Sequence, residues 1–370
     1  MSLNDLLEMS HRYGADEEFV LAGGGNTSFK DNNVLYVKGS GVQLSDMSIE
    51  QFVAMDLKLL PDMINREFPE NTSNEQREKL VLIEMMAARL PGEESKRPSV
   101  ESTLHAMFPY KLVLHVHPPL INGLTCGEDG KKLCGELFGD KVVWVDLTKP
   151  GFILAQECNR IFNNYVEKNG KYPQIAILQN HGIFVAADTV GEIDDLMSFV
   201  IDKLKSRINE IPNFDSVAFD KDLSLRIGSE LKELYSSDDA AVVVFCANKQ
   251  VSIIVSDAEE FSVVSTPFTP DHIVYCKDEP LLIEPDADIA AVFSAYANNK
   301  GYNPNIVAVR GLGFFALGKN EKGARQAEAL FLDAIKIAIY AKSFGGINPL
   351  DFEFIDFIIN WEVEAYRAKA

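Results

Sequence analysis

The chain has 370 residues, of which 46% are hydrophobic and 24% are charged, a composition typical of globular proteins. At roughly 150 residues per domain, this length predicts about two domains. The 35 basic and 55 acidic residues give a formal net charge of -20, which disfavours binding to nucleic acids and to anionic membranes. An anionic substrate would therefore need its own local set of hydrogen-bond donors.

The cysteine content and the apolar runs indicate a cytoplasmic protein. The five cysteines are odd in number and form no CxxC pair, so we expect a reduced intracellular chain. The first residues lack the basic start and the apolar core of a secretory signal peptide. The longest apolar run, 240–247, is too short for a bilayer span, which needs about 20 residues.

The N-terminal part combines helical periodicity with short apolar strands. Residues 3–13 have the apolar spacing of a helix, whereas 22–28 are too rich in glycine for the interior of a helix or strand. A strand is expected at 34–37 and a turn at 39–41. We predict helices at about 48–60 and 74–90, and a further helix that begins near Ser99.

Strands and helices continue to alternate after residue 110, which indicates stacked α/β layers. The apolar patterns predict strands at 111–117, 142–145, 175–178 and 183–186, and helices at 152–168 and 189–207. The polar stretch 209–222 contains a proline and no long periodicity, so we expect a linker there. The predicted domains are therefore 1–210 and 223–370.

Three histidines follow the pattern of a metal site. His115 and His117 are two residues apart on a predicted strand, so both imidazoles project from the same face. Taken alone, such a pair is as well explained by ordinary residues at a strand end. His181, between two apolar strands and followed by glycine, completes a set of three, the pattern of a zinc site with an open position for substrate.

Glu101 and His105 lie one helical turn apart before the histidine strand. The Glu101 carboxylate is a candidate fourth ligand or general base, and alternatively a helix-start glutamate stabilised by the helix dipole. We interpret His105 as structural.

Two loops and a serine carry neutral hydrogen-bond donors. Glycine allows backbone amides to approach an oxyanion, and Asn, Ser and Thr side chains donate to it, so these segments could bind a phosphate without a lysine. Plain turns are the alternative. The candidate residues are Asn26, Thr27, Ser28, Ser40, Gly41 and Ser99.

The second half carries a weak repeat of the first. Residues 173–184 align without a gap on 304–315, and an amphipathic helix follows each segment. Upstream, 99–103 resembles 262–266, and Phe108-Pro109 then matches Thr269-Pro270. The second match places Cys276 opposite His115 and Asp278 opposite His117. We therefore expect 223–370 to be a smaller, related lobe that has lost the metal ligands.

Taken together, these motifs resemble the class II aldolase/adducin family. Its Gly-Asn-x-Ser loop, Ser/Thr-Gly loop, Pro-Ser-x-Glu element, His-x-His strand and His-Gly turn all occur here in family order over about 1–210. The whole chain is similar to the aldolase portion of bifunctional rhamnulose-1-phosphate aldolase/dehydrogenase proteins, through 23–28, 38–41 and 269–272.

The resemblance implies a fold, a metal and an activity. The fold is a three-layer α/β/α sandwich on a mostly antiparallel sheet. One zinc ion per chain would be bound by His115, His117 and His181, Glu101 would be the acid/base, and the donor loops with Ser99 would hold the substrate phosphate. The implied reaction is zinc-dependent cleavage of a phosphorylated ketose, of the rhamnulose or fuculose 1-phosphate type, to dihydroxyacetone phosphate and an aldehyde.

Alternatives within the resemblance are a ketose-phosphate 4-epimerase or dehydratase on the same site, and a non-catalytic scaffold like the adducin head. A homo-oligomer, dimer or tetramer, is also implied. Two positions depart from the short aldolases. Val100 replaces their second serine, and for their C-terminal proton-donating tyrosine Tyr366 is only a candidate.

Overall fold

A computed structural model describes residues 2–69, 71–236 and 240–361. The chain divides into two compact units. The first comprises the residues up to Thr125 together with Asp129–Arg207, and the second comprises Cys126–Glu128 together with the residues from Ile208 onward. No helix within the described ranges is both long enough and apolar enough to cross a lipid bilayer.

The first unit is built on a sheet whose strands run in the order β3-β2-β1-β4-β7-β6-β5. Each neighbouring pair is antiparallel except β5 and β6, which are parallel, so the predicted mostly antiparallel sheet is confirmed. The strands are β1 (Asn26–Asp31), β2 (Val34–Lys38), β3 (Phe52–Asp56), β4 (Leu112–Val116), β5 (Val143–Val145), β6 (Ile175–Leu178) and β7 (Gly182–Ala187).

Helices cover both faces of this sheet, which gives the predicted three layers. They are α1 (Leu3–Gly14), α2 (Leu59–Ile64), α3 (Asn74–Ala87), α4 (Ser102–Met107), α5 (Pro119–Thr125), α6 (Gly130–Phe138), α7 (Phe152–Asn169) and α8 (Val190–Lys205). On β1, Thr27 bonds to Ser10 of α1, whereas Ser28 bonds to His105 of α4. Because consecutive strand residues point to opposite faces, α1 and α4 lie on opposite sides of the sheet.

The predicted helix over 48–60 is wrong. Its residues form a short 3-10 turn at Ile49–Gln51, strand β3 and the start of α2. Val53 and Met55 are fully buried and pair with Val37 and Leu35 of β2. Pairing with a neighbouring strand therefore outweighs the helical spacing of this segment, as tertiary contacts often do.

The glycine-rich segment also differs from its expectation as a loop. Only its first part is a loop, because strand β1 begins directly at Asn26. β1 lies between β2 and β4, and Asn26 is already paired with His115 of β4. The polar residues Asn26, Thr27 and Ser28 are thus held on a regular strand in the middle of the sheet.

The second unit contains a smaller sheet in the order β8-β11-β10-β9, in which only β9 and β10 are parallel. Its strands are β8 (Val242–Cys246), β9 (Leu281–Ile283), β10 (Ile306–Val309) and β11 (Gly313–Gly318). Its helices are α9 (Lys221–Tyr235), α10 (Lys249–Ile254), α11 (Ala258–Ser262), α12 (Pro270–Cys276), α13 (Ile289–Lys300), α14 (Glu321–Ala341) and α15 (Phe352–Asn360), and short 3-10 turns lie at Gly139–Lys141 in the first unit and at Lys342–Phe344 in the second.

The sequence repeat corresponds to a repeated piece of topology. The hairpin β10–β11 and the start of α14 fall at the positions aligned with β6–β7 and α8. The register is also the same, since Leu178 pairs with Gly182 and Val309 pairs with Gly313. Each hairpin has a parallel strand on one side, β5 or β9, and an antiparallel strand on the other, β4 or β8.

The upstream part of the predicted repeat is wrong. His115 pairs with Phe184 in β7, and the residue that pairs with the aligned Phe315 in β11 is Phe245, not Cys276. Cys276 ends helix α12 and lies on no strand. The short matches of 99–103 with 262–266 and of 108–109 with 269–270 therefore join segments that occupy different places in the two topologies.

Candidate metal and acid/base site

The first two histidines lie at the end of β4. His115 is the fourth residue of β4, and His117 follows the strand directly, so both imidazoles leave the same face. The ring of His115 is completely buried and stacks on Phe184, with ring centroids 4.0 Å apart and planes 13° from parallel. This packing fixes the orientation of the His115 ring.

His181 reaches the pair from the β6–β7 turn. Asn180, before it, adopts a left-handed backbone conformation with φ of 53°, which lets the chain reverse in a tight turn. Gly182, after it, lies so close to β4 that a Cβ atom there would be 2.6 Å from the Cδ2 atom of His117 and 2.6 Å from the carbonyl oxygen of Val116. The glycine that follows His181 is therefore required by the close approach of the two strands.

The three histidines form a group of nitrogen atoms suited to one metal ion. One ring nitrogen from each of His115, His117 and His181 lies within 4.8 Å of the others. The Nε2 atoms of His115 and His117 are 2.9 Å apart. In the part of the chain that the structure describes, this is the one group of three or more His, Cys, Asp or Glu residues with such spacing.

The protonation of His115 is set by its surroundings. Its Nδ1 atom lies 2.9 Å from the carbonyl oxygen of Ile183, and because a carbonyl only accepts, Nδ1 donates and carries the proton. Burial is the largest influence on the His115 ring and lowers its pKa well below its ordinary value, whereas the neighbouring Glu101 raises it; burial therefore favours the neutral ring. The Nε2 lone pair is then directed at the other two histidines, as in metal sites where a backbone carbonyl orients the ligand.

Glu101 lies against the same group of nitrogens, at the residue before α4. Its Oε1 atom is 3.3 Å from Nε2 of His115 and 3.4 Å from Nε2 of His181. Its Oε2 atom accepts a hydrogen bond of 2.7 Å from the amide of Asn26. Burial alone would raise the pKa of Glu101, but His115, His181 and Asn26 outweigh it and hold this pKa below its ordinary range.

The Oε1 atom of Glu101 is buried, and among the described residues no donor reaches it in hydrogen-bonding geometry. A buried carboxylate oxygen without a donor is costly unless a cation or a proton lies near it. Three imidazole nitrogens and this oxygen therefore fit a divalent metal ion, with three protein nitrogens as ligands and an open position.

Ser40, Gly41 and Ser99 are brought side by side. The loop after β2 pairs with the segment before α4. The backbone amide of Ser40 donates to the carbonyl oxygen of Arg97, and the backbone amide of Ser99 donates to the carbonyl oxygen of Lys38. The hydroxyl of Ser99 accepts a hydrogen bond from the backbone amide of Glu101. Ser99 therefore borders the glutamate, and Ser40 lies in the loop paired with its segment. Gly41 has a positive φ of 81° that suits a tight loop.

Asn26, Thr27 and Ser28 do not act as one binding loop. Only Asn26 contacts Glu101, through the bond given above. The Thr27 side chain points to the opposite face of the sheet, where its hydroxyl lies 2.7 Å from that of Ser10. The Ser28 hydroxyl is completely buried and lies 2.7 Å from Nδ1 of His105. Tyr366 lies outside the described residues.

Two contributions to the site are absent from the sequence prediction. His105, interpreted there as structural, contacts both Ser28 and Asn26. Lys38 is buried, and its Nζ atom donates to the carbonyl oxygens of Gly23, at 3.3 Å, and Val42, at 2.6 Å. Lys38 thereby ties together the loops on either side of the β1–β2 hairpin. In the sequence, the feature that could have indicated this role of Lys38 is a lysine at the end of an otherwise apolar strand.

Comparisons with known proteins identify a family. The sequence profile of the family "Class II Aldolase and Adducin N-terminal domain" matches residues 4–204. The "Uncharacterized oxidoreductase YuxG" of Bacillus subtilis (strain 168) is 23% identical over 413 residues, covering 99% of this chain and 58% of that protein. The chain thus spans little more than half the length of this relative.

Solved structures are similar to part of this chain. The N-terminal class II aldolase domain of a conserved protein from Thermoplasma acidophilum is 24% identical, with a TM-score of 0.46, covering 56% of this chain and 93% of that one. L-fuculose-1-phosphate aldolase from Thermus thermophilus is 16% identical, with a TM-score of 0.35, covering 55% of this chain and 91% of that one.

Proposed function

Since the chain belongs to the class II aldolase and adducin family, we propose that it is a metal-dependent lyase that cleaves a phosphorylated ketose. The substrate class is a ketose 1-phosphate of the rhamnulose or fuculose type. The products are dihydroxyacetone phosphate and an aldehyde.

One observation carries this proposal. A buried carboxylate oxygen, Oε1 of Glu101, faces the Nε2 atoms of His115 and His181 at 3.3 and 3.4 Å and has no donor of its own among the described residues. A scaffold protein has no need of such an arrangement, because an unsatisfied buried charge destabilises the fold. A site that binds a metal ion and exchanges a proton does need it.

His115, His117 and His181 would hold one zinc ion per chain, which supplies Lewis-acid polarisation of the substrate's carbonyl and neighbouring hydroxyl oxygens. Oε1 of Glu101 exchanges the proton at the carbon next to the carbonyl. In cleavage the neighbouring carbinol hydroxyl loses its proton to solvent as its carbon becomes the aldehyde, and the electron pair of the broken carbon–carbon bond stays on the carbon next to the carbonyl. That carbon then takes up one proton through Glu101, and condensation is the reverse of these steps. Phe184, stacked on His115, excludes water from one side of the group.

The substrate phosphate is proposed to bind at the two neighbouring loops. Ser40 and Gly41 are half-exposed beside Ser99, and Ser99 borders Glu101. Backbone amides and hydroxyls of such loops are suited to a phosphate. Asn26 is assigned to Glu101 rather than to the phosphate, since its amide already donates to Oε2.

Three further features belong to the proposal. Residues 1–210 are the catalytic domain, and 223–370 are a lobe without metal ligands, because Phe245, Ala247 and Leu312 occupy the positions of the three histidines in the repeat. The protein is cytoplasmic. It assembles as a homo-oligomer, a dimer or a tetramer.

The experiment is a metal analysis combined with a substrate panel. Purified protein is assayed for zinc and then incubated with ketose 1-phosphates and pentulose 5-phosphates, and products are identified by NMR. Formation of dihydroxyacetone phosphate and an aldehyde at one zinc per chain is the expected result. A 4-epimer as product would show that the protein is an epimerase, and a dehydrated product would show that it is a dehydratase. A metal-free, inactive protein would contradict the proposal.

A further inference from the structure

A buried chain of side chains leads away from Glu101 on the side opposite the histidines. His105 is completely buried on α4, and both of its ring nitrogens have polar partners. Nδ1 lies 2.7 Å from the hydroxyl of Ser28, and Nε2 lies against Oδ1 of Asn26. The amide of Asn26 then donates to Oε2 of Glu101 at 2.7 Å.

The donor and acceptor of each hydrogen bond in this series follow from the Glu101 carboxylate at one end of it. A carboxylate without its proton only accepts, so the Asn26 group facing Oε2 is the NH2 group. The Asn26 oxygen therefore faces His105, and Nε2 of His105 must donate to it. Burial lowers the pKa of His105 to about 3, so the ring carries one proton. Nδ1 is then an acceptor, and the Ser28 hydroxyl donates to it.

This direction has a consequence for the carboxylate. Without His105 the Asn26 amide could turn over and present its oxygen to Oε2 of Glu101, which would repel it. With His105 in place, only the NH2 group faces Glu101. Oε2 is thereby occupied, and Oε1 is the oxygen left facing the Nε2 atoms of His115 and His181.

We propose that His105, held by Ser28, is a positioning residue that fixes the Asn26 amide and so selects Oε1 of Glu101 as the atom that exchanges the proton. This inference rests on the proposed acid/base role of Glu101. His105 touches neither the metal ligands' nitrogens nor the substrate, and it acts through Asn26. A purely structural histidine would need no particular tautomer, whereas this role requires the proton on Nε2.

The chain offers matched variants. His105→Gln retains a donor toward Asn26 and an acceptor toward Ser28, whereas His105→Phe retains a buried ring near Phe184 but removes both bonds. Ser28→Ala removes only the hydrogen bond between Ser28 and His105, at the end of the series farthest from Glu101. Ser10→Ala is its control, because Ser10 is an equally buried serine whose hydroxyl lies 2.7 Å from Thr27 on the opposite face of the sheet.

The first readout is independent of activity. The protein has six histidines, so the ring nitrogens can be labelled with 15N and the His105 signals assigned from their loss in His105→Gln. We expect a neutral ring with the proton on Nε2 at pH 7, a change of the Nδ1 shift in Ser28→Ala, and no change in Ser10→Ala. A proton on Nδ1 would overturn the proposal.

The second readout separates rate from binding. In zinc-loaded protein, His105→Phe should lower kcat by about 10- to 100-fold, which is less than the full contribution of an acid/base group of about 10²–10⁴. KM and zinc content should stay within about twofold of the wild type, and His105→Gln should recover most of kcat. An unchanged kcat, or a rise in KM alone, would overturn the role of His105. Failure of the proposed function is visible separately, as a wild type that keeps the expected tautomer but cleaves no sugar phosphate.

Discussion

Asn26 of β1 lies directly opposite His115 of β4 in an antiparallel pair, so both side chains leave the same face of the sheet. Residues 89 positions apart in sequence are thus neighbours, and Glu101 contacts both of them. The pairing of two central strands therefore builds the site, and the loops complete it.

Gly182→Ala should displace His117. The new Cβ atom would lie 2.6 Å from Cδ2 of His117 and from the carbonyl oxygen of Val116, which belongs to the backbone of a central strand and has little room to move. We expect a loss of about 1–3 kcal/mol in the free energy of unfolding, as in other overpacked sites, together with weaker zinc binding. Gly191→Ala is the control, because nothing lies within 4 Å of a Cβ atom there. Wild-type zinc affinity in Gly182→Ala would disprove this account of the turn.

Lys38→Met should loosen the two loops around the β1–β2 hairpin. It removes the hydrogen bonds from Nζ to the carbonyl oxygens of Gly23 and Val42, and a hydrogen bond from a charged group contributes about 1.5–3 kcal/mol. Urea unfolding should show a loss of this size, and KM for a phosphorylated substrate should rise. Lys131→Met, which removes an exposed ion pair with Asp146, should cost at most about 1 kcal/mol. Equal effects of the two substitutions would contradict the role given to Lys38.

Glu78 should make the stability of the first unit depend on pH. Its carboxylate accepts hydrogen bonds from the backbone amides of Phe152 and Ile153 at the start of α7, but burial raises the pKa of Glu78 to about 7. The folded chain thus holds this proton more tightly than the unfolded chain. This contribution to stability is present below about pH 4.5 and is lost as the pH rises from about 4.5 through 7, by at most about 3 kcal/mol.

The measurement is the unfolding free energy between about pH 5 and 8, the range of the proton release, for the wild type, Glu78→Gln and Glu233→Gln. Glu78→Gln should flatten the decline with rising pH. Glu233→Gln removes the same charge from an exposed position of α9 and should leave the decline in place. A slope in Glu78→Gln equal to that of the wild type would rule out this origin of the pH dependence.

Zinc should stabilise the folded chain through His181. A ligand that binds only the folded state adds about 2.7 kcal/mol at a hundredfold excess over Kd. Thermal unfolding of metal-free protein should therefore shift to higher Tm on addition of zinc, with one ion bound per chain. His181→Ala should lose this shift, whereas His11→Gln, a half-buried histidine bonded to the carbonyl of Met47, should retain it. A full shift in His181→Ala would place the ion elsewhere.

The sequence predicted what depends on local spacing. The His115–His117 pair follows from the two-residue period of a strand, and the turn at His181 follows from its position between two apolar runs. The repeat of 173–184 in 304–315 was visible because a hairpin and its helix are contiguous in sequence. Its upstream extension failed, since the strand that pairs with the second hairpin is separated from it by helices α10 to α13.

What depends on distant pairing was not visible. Residues 48–60 have helical spacing in the sequence. Part of this segment is a strand because it pairs with β2 in the folded protein. Thr27 lies between two site residues in sequence, yet the alternation along β1 turns its side chain to the other face of the sheet. A segment predicted to be a loop has no such alternation, so the sequence prediction could not separate Thr27 from its neighbours. His105 gains its polar partners from β1, 77 and 79 positions away, so nothing near it in sequence indicates them.

The most direct test follows the proton that Glu101 is proposed to exchange. Zinc-loaded protein is incubated with dihydroxyacetone phosphate in D2O without any aldehyde, and the loss of the hydrogen next to the carbonyl is followed by NMR. The account predicts exchange in the wild type and a decrease of about 10²–10⁴-fold in Glu101→Gln at unchanged zinc content. Exchange at the wild-type rate in zinc-loaded Glu101→Gln would contradict it.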